Sequence, residues 1–265
     1  MAQALLEVEG LTKRFGGVVA LEDVTLRVHQ GETVGLIGPN GAGKTTLFNC
    51  VTGLLRADRG AIRFGRRNPE SLAGLAAHHI VQRGIARTFQ NIRLFGSMSV
   101  LENVVLGTYQ RTHTGLWGAA LATREARQEQ QWAAERAMEL LELVRLQDRA
   151  EALGASLPFG LQRRLEIARA LASDPVLLLL DEPAAGLNPV EKQALLALIQ
   201  RIKAQGLTMV LIEHDMHVVM PISDRVVVLD YGKTIAEGSA EAIQRDARVI
   251  EAYLGVPQRG ADAAR

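Results

Sequence analysis

Between a short β-branched strand and an apolar helix the chain carries Gly38-Pro39-Asn40-Gly41-Ala42-Gly43-Lys44-Thr45-Thr46, a stretch that few kinds of fold can use. It matches GxxxxGK[ST], in which glycines let successive backbone N–H groups converge on phosphate oxygens. Lys44 is placed to reach the outer phosphates of a nucleoside triphosphate, and the Thr45 hydroxyl to ligate magnesium. The preceding strand, Thr33-Val34-Gly35-Leu36-Ile37, and a helix expected to run to Leu55 supply the strand–loop–helix context that this chemistry needs. A chain built around such a unit is α/β.

A second motif narrows the chemistry. The run Leu177-Leu178-Leu179-Leu180 is apolar on both faces, as a buried parallel strand should be, and it ends in Asp181-Glu182. In open α/β sheets, ligands bind beyond the C-terminal ends of the strands. Asp181 there is suited to hold magnesium, directly or through water, and Glu182 to polarise an attacking water. Either motif alone has a structural explanation, a glycine-rich turn or a strand-end cap. Together they point to hydrolysis of a nucleoside triphosphate.

Composition sets the limits around this core. At 265 residues, 48% apolar and 22% charged, the chain can bury one large core and is too apolar for intrinsic disorder. Its 30 basic and 29 acidic side chains are interspersed, so no nucleic-acid partner is expected. The single cysteine, Cys50, can neither form an internal disulfide nor share a metal with a second thiol, which fits a reducing compartment. The N-terminus lacks the basic flank and apolar stretch of a signal peptide. The longest run of apolar or glycine residues, Gly115 to Ala122, falls far short of the roughly 18 to 20 that span a bilayer. Work at a membrane would therefore need a partner.

Strand patterns fall at 5–9, 18–28, 33–37, 60–64, 85–89, 176–181, 208–212, 225–230 and 233–237, and helical patterns at 100–108, 123–144, 161–172, 190–204, 215–222 and 240–253. From about residue 91 to 159 clear strands are lacking, and a Gly/Thr/Trp patch interrupts the middle at 112–118. The expected organisation is one domain over 1–256. Residues 1–90 and 160–256 form its core, with a partly antiparallel layer at the start and a helical lobe inserted at about 91–159. Residues 257–265 are expected to be a loose tail.

Laid end to end, the motifs resemble those of ATP-binding-cassette ATPases, the nucleotide-binding subunits of ABC transporters, over nearly the whole chain. Phe15 sits where that family stacks an aromatic on adenine, residues 38–45 are the P-loop, and Gln90 in Thr88-Phe89-Gln90-Asn91 matches the Q-loop. Leu157-Pro158-Phe159-Gly160-Leu161 stands where the signature loop belongs, Asp181-Glu182 is the Walker B pair, Ala185-Gly186-Leu187-Asn188 the D-loop, and His214 the switch histidine. The segments Asp181 to Pro189, Ile212 to Met216 and Val249 to Gly255, with the insert around Trp117 and Trp132, look like the larger ATPase subunit of bacterial branched-chain amino-acid importers. Urea and short-chain amide importers and the lipopolysaccharide-export ATPase share much of this vocabulary.

The resemblance implies a P-loop NTPase core of ABC-cassette type, with ATP and magnesium as cofactors. It implies ATP contacts from Phe15, residues 38–46 and Gln90, magnesium contacts from Thr45, Gln90 and Asp181, and catalysis by Glu182 with His214. Pro158, Phe159, Gly160, Leu161 and Asn188 would meet ATP held by a second cassette, identical or paralogous. The other implied partners are transmembrane permease subunits and, through them, a periplasmic substrate-binding protein, which puts the chain at the cytoplasmic side of the cell membrane. Ile92, Leu94, Phe95, Met98 and Val100 are the candidate docking surface for a permease helix; the alternative is packing inside the lobe, which is the expectation for Val100 and Leu101. One departure stands out: the family's usual LSGGQ is here LPFGL, without the serine hydroxyl. A soluble ABC ATPase acting on DNA or the ribosome is the main alternative, but such chains usually carry two cassettes or basic tails. A non-catalytic cassette would not need Lys44, Asp181, Glu182 and His214 together, and a small-molecule kinase has no use for a signature loop.

Overall fold

Two kinds of strand build the protein, and their burial separates them. In Val18–His29 the buried Val24, Leu26 and Val28 alternate with exposed positions, the mark of a sheet with one wet face. In Thr33–Ile37 and Leu177–Asp181 every residue is buried. The computed structural model describes residues 4–111 and 124–254. In chain order its strands and α-helices are β1 (Ala4–Phe15), β2 (Val18–His29), β3 (Thr33–Ile37), α1 (Lys44–Val51), β4 (Arg59–Phe64), β5 (Glu70–Ser71), α2 (Ala77–Gln82), β6 (Ile85–Arg87), α3 (Val100–Thr108), α4 (Arg124–Val144), α5 (Phe159–Ala172), β7 (Leu177–Asp181), α6 (Pro189–Ala204), β8 (Thr208–Ile212), α7 (Met216–Val219), β9 (Arg225–Asp230), β10 (Lys233–Gly238), α8 (Ala240–Arg245) and α9 (Ala247–Leu254). The patch at 112–118 with Trp117, and the tail at 257–265, lie outside the described residues.

The chain divides into two compact units, Met1–Ala76 with Val210–Arg265, and Ala77–Met209. In the first, β2, β1, β4 and β5 form an antiparallel sheet in that order. The second sheet of this unit runs β10-β9-β3-β8, with β3 and β9 parallel and β10 antiparallel to β9; the boundary between units falls within β8. Arg225 at the start of β9 is a hub. Its Nε and Nη2 fork onto the Glu32 carboxylate at 2.7 and 3.0 Å, Nη1 pairs with Glu237, and Nη2 also reaches the Arg27 carbonyl. The end of β2, the entry to β3 and both strands of the last hairpin are thereby tied to one guanidinium.

The second unit pairs β6 with β7 in parallel and packs α3, α4 and α5 on one another. Helix α4 buries Ala133, Ala137, Leu140, Leu141 and Val144, a single stripe at helical spacing. Helix α3 starts with a capping box, Ser99 and Glu102 each accepting the other's backbone N–H. Gly107 lets it cross α5 closely, since a Cβ there would stand 2.3 Å from the Arg169 carbonyl oxygen.

The differences from the sequence expectations have local causes. The strand expected at 85–89 ends at Arg87, because the Phe89 backbone bonds to side chains of α5. The helix expected at 215–222 covers only Met216–Val219, and Pro221 follows it. The helix expected at 240–253 is two, because Asp246 is extended and its carboxylate accepts the Arg248 amide at 2.9 Å. The helix expected to reach Leu55 ends at Val51, ahead of Gly53 at φ 71. Neither α2 nor the two-residue β5 was anticipated.

Burial pushes Glu32 upward, but the Arg225 fork and the His29 backbone N–H at 2.8 Å outweigh it, so its pKa lies below the ordinary 4.5. A carboxylate with a depressed folded pKa contributes stability that is present above its unfolded pKa and lost as pH falls through the folded one. Glu32→Gln should therefore cost about 1 to 3 kcal/mol at neutral pH. Thermal unfolding across pH should show the gap to wild type closing as pH drops below about 4.5. A gap independent of pH would remove the ionised pair as its cause.

Candidate functional site

The loop after β3 is shaped by positions that cannot carry a side chain. Gly38 has φ 150, and a Cβ there would stand 2.0 Å from the Leu229 carbonyl oxygen of β9. Gly43 has φ 102, and a Cβ would stand 2.5 Å from the Ala20 carbonyl oxygen of β2. The Gly232 amide, in the β9–β10 turn, donates to the Ala42 carbonyl at 3.0 Å. The loop is thus held from behind by both sheets of its unit, and its outer face, Asn40 and Gly41, is exposed. Helix α1 begins at Lys44 with no side-chain cap and no acid in its first turn, so its N-terminal amides and positive dipole end are left to an anion. Lys44 is 6% exposed and folds back over the loop, donating from Nζ to the Gly38 and Pro39 carbonyls at 2.6 and 2.9 Å. Thr45 is exposed on this turn, while Thr46 is half-buried.

Three more residues belong to the same unit, and one of them, Tyr253, faces this loop. Phe15 closes β1 opposite Val18 and is 46% exposed, an open ring beside the Gly16-Gly17 turn, with the Lys13 ammonium 5.4 Å from its centroid. His214 is exposed after β8; its backbone N–H donates to the buried Glu213 carboxylate at 3.3 Å, and the next residue, Asp215, caps α7. Tyr253, in α9, buries its hydroxyl facing the Gly38 backbone without closing a hydrogen bond of good geometry; burial pushes its pKa up.

In the other unit, β7 delivers two carboxylates side by side. Asp181 is buried; its Oδ2 accepts from Arg87 Nη2 at 2.7 Å, an ion pair with both side chains 5% exposed or less. Its Oδ1 is also buried and accepts no hydrogen bond. Such an atom lacks a partner of cationic or water chemistry, which suits a magnesium ion held partly through water. Among the described residues there is no cluster of three or more His, Cys, Asp or Glu that could hold a metal ion. Glu182 sits at φ 45, a left-handed conformation that costs a non-glycine residue free energy and is concentrated at functional sites. Its Oε2 accepts from Gln90 Nε2 at 2.8 Å. Two of the residues expected at the site, Gln90 and Glu182, are thus in direct contact.

The segment at 157–161 and the loop at 185–188 are packed together. Pro158 is the N-cap of α5 and exposed, like Phe159. A Cβ on Gly186 would stand 3.1 Å from the Phe159 ring, and one on Gly160 2.6 Å from Glu191 Oε1. Asn188 caps α6: its Oδ1 accepts the Glu191 amide at 3.0 Å, and Glu191 returns the bond to the Asn188 amide at 3.0 Å. The sequence reading missed Arg87, Arg163 and Glu166. Arg163 and Glu166 are both buried, and burial pushes the Glu166 carboxyl up while Arg163 opposes it. The available signal was spacing, a basic residue on a buried strand three before Gln90 and an i, i+3 pair on α5.

Residues 21–185 match the ABC transporter family. The chain belongs to that family, and with its phosphate loop and carboxylate pair it is an ATP-binding, ATP-hydrolysing cassette. Residues 233–258 match the branched-chain amino acid ATP-binding cassette transporter family. Among curated relatives, the high-affinity branched-chain amino acid transport ATP-binding protein BraF of Pseudomonas aeruginosa is 44% identical over 256 residues, 96% of this chain and 99% of its own. Among solved structures, the ADP conformation of an ATP-binding cassette of an ABC transporter superposes with TM-score 0.80 at 30% identity, over 96% of this chain and all of that one. A dimeric cassette in a post-hydrolysis state with ADP and phosphate gives TM-score 0.74 at 25% identity, over 89% of this chain and 98% of that one.

Lys44 is the principal point charge available to a phosphate in this loop. Lys44→Ala should lose ATP affinity by at least about a hundredfold, roughly 3 kcal/mol. A direct nucleotide titration checks this, and unchanged affinity would separate the loop from ATP.

Proposed function

We propose that this chain powers a branched-chain amino acid importer as one of two cassettes that close on ATP and part after hydrolysis, a ligand-driven shift of population. The observation that carries the reading is the contact between Gln90 and Glu182 beside the orphaned oxygen of Asp181. Residues 38–46 hold the phosphates through backbone amides and Lys44, and Phe15 stacks on the adenine. Glu182 accepts the proton of the attacking water; its strained backbone and the Gln90 amide fix where its carboxylate points. His214 orders the outer phosphate and the water. Thr45, Asp181 and Gln90 are the residues that would hold magnesium, which neutralises charge on the outer phosphates when bound.

Pro158, Phe159, Gly160, Leu161 and Asn188 serve ATP bound by the other cassette. With Pro158 in place of serine, this contribution comes from the backbone amides and dipole at the start of α5. The division into a core of 1–90 and 160–256 with a lobe at 91–159 is part of the same reading. The lobe meets the permease through the loop before α3. Phe95 is 53% exposed there, Leu94 and Ile92 are half-buried, and Leu153, bridged to this loop through Ser99, is also 53% exposed. Val100 is fully buried and belongs to the lobe's interior. Among the described residues no helix is long and apolar enough to cross a membrane; the proposed partners would hold the chain at the cytoplasmic face.

Glu182→Gln preserves the shape of the side chain and loses the base. It should keep ATP affinity and cut steady-state turnover by about a hundredfold or more. Wild-type turnover in this variant would overturn the role of Glu182. Leu94→Glu and Phe95→Glu should leave ATP binding intact and abolish transport in the assembled complex; normal assembly and uptake would place the docking surface elsewhere.

A further inference from the structure

We propose that Arg163 and Glu166, on the first turns of α5, are positioning residues for hydrolysis: they set the backbone of residues 89–93 and thereby the reach of Gln90 to Glu182. The proposal rests on the reading of Gln90 and Glu182 given above. Arg163 has no exposed surface, and its guanidinium is used as a fork. Nη1 donates to the Phe89 carbonyl at 2.7 Å and to Glu166 Oε2 at 2.7 Å, and Nη2 donates to the Gln90 carbonyl at 2.7 Å. Glu166 Oε1 faces the amides of Phe89 at 3.3 Å and Arg93 at 3.5 Å. Both polar backbone groups of Phe89 and the carbonyl of Gln90 are therefore bound by one helix.

The Phe89 ring is held as well, with the guanidinium carbon of Arg87 5.1 Å and that of Arg93 4.5 Å from its centroid. Arg87 carries the ion pair to Asp181, and Gln90 the hydrogen bond to Glu182. Only Thr88 and Phe89 separate two side chains that each grip a carboxylate, and the Arg163 and Glu166 pair fixes where Phe89 stands.

A buried ion pair is a poor device for stability alone, since apolar residues of similar volume do as well or better. What an apolar pair cannot supply is hydrogen bonds to loop carbonyls and amides that burial would otherwise leave unmet. The same guanidinium also lies 6.0 Å from the centroid of the Phe159 ring, in the signature segment that opens α5. A shift of that segment against ATP on a second cassette is passed to Gln90 through Arg163. Displacing a catalytic group by about 1 Å can cost a hundredfold in rate, so the positioning bears on turnover as well as on folding.

Two variants separate this from a structural role. Arg163→Lys keeps the charge but cannot fork to both carbonyls. The double variant Arg163→Met with Glu166→Leu removes both charges together, so neither is left buried and alone. In the full-length chain both should bind ATP within about twofold of wild type by direct titration, because the phosphate loop is untouched, while kcat falls by about tenfold to a hundredfold at little-changed KM. Each is then combined with Gln90→Ala. Since the pair acts through Gln90, the combined variants should be no slower than Gln90→Ala alone. A wild-type kcat in either variant, or full multiplication of the two defects, overturns the proposal. If Gln90→Ala alone turns over like wild type, the role of Gln90 itself falls, and the positioning role with it.

Discussion

Strands β3 and β7 are each buried at all five of their positions, and each hands the chain at its C-terminal end to a loop rich in polar chemistry. Four consecutive leucines, none more than 1% exposed, bring β7 to Asp181. At about 1.5 to 3 kcal/mol for each fully buried leucine, slipping or fraying of β7 carries a large cost. That immobility is what the carboxylates need. A pair of acids on a flexible loop would be solvated and poorly aimed, whereas here one oxygen of Asp181 is committed to Arg87 and the other is left buried and unmet. The phosphate loop has the same construction, with rigid strands behind it and exposed Asn40 and Gly41 in front.

The free energy gained in these cores is partly spent on strain at the ends of the strands. Glu182 is held at φ 45 immediately after β7, and the turn that follows is closed by the Ala185 amide on the Glu182 carbonyl at 3.1 Å. Gly38 is pressed against Leu229 so closely that only glycine fits. In both places the backbone is forced into an uncommon geometry beside a packed strand that prevents relaxation, at a residue proposed to act in hydrolysis in one case and in the phosphate loop in the other.

The altered signature segment acquires a different meaning once its neighbours are known. Gly160 is buried against Glu191, the acid that completes the α6 cap with Asn188, and Phe159 lies over Gly186. Within one chain the two loops that would face a partner cassette are packed as a single surface. A substitution at Gly160 disturbs this packing before it meets any phosphate. Pro158, exposed and acting as the N-cap, costs α5 little, since the amide it lacks would have no helical partner.

Much of this protein was legible in residue order because its chemistry is local. The phosphate loop, the strand of leucines with its two acids and the buried stripe of α4 each occupy a continuous run, and periodicity and glycine placement are properties of such runs. Most strand positions followed for the same reason, although β1 runs on from the expected 5–9 to Phe15 and neither β5 nor α2 was anticipated; helices ended early at a proline, a glycine and an extended Asp246. Tertiary structure decided what depends on residues far apart in the chain. The Arg87 and Asp181 pair joins positions 94 apart, and the Arg163 fork reaches carbonyls more than 70 residues away, so local spacing could mark these residues as candidates but not name their partners. The end of β6 at Arg87 was decided the same way. Pattern allowed the strand two more residues, but the Phe89 backbone takes its partners from α5, and a buried N–H or C=O goes where a partner is, whatever its own sequence prefers.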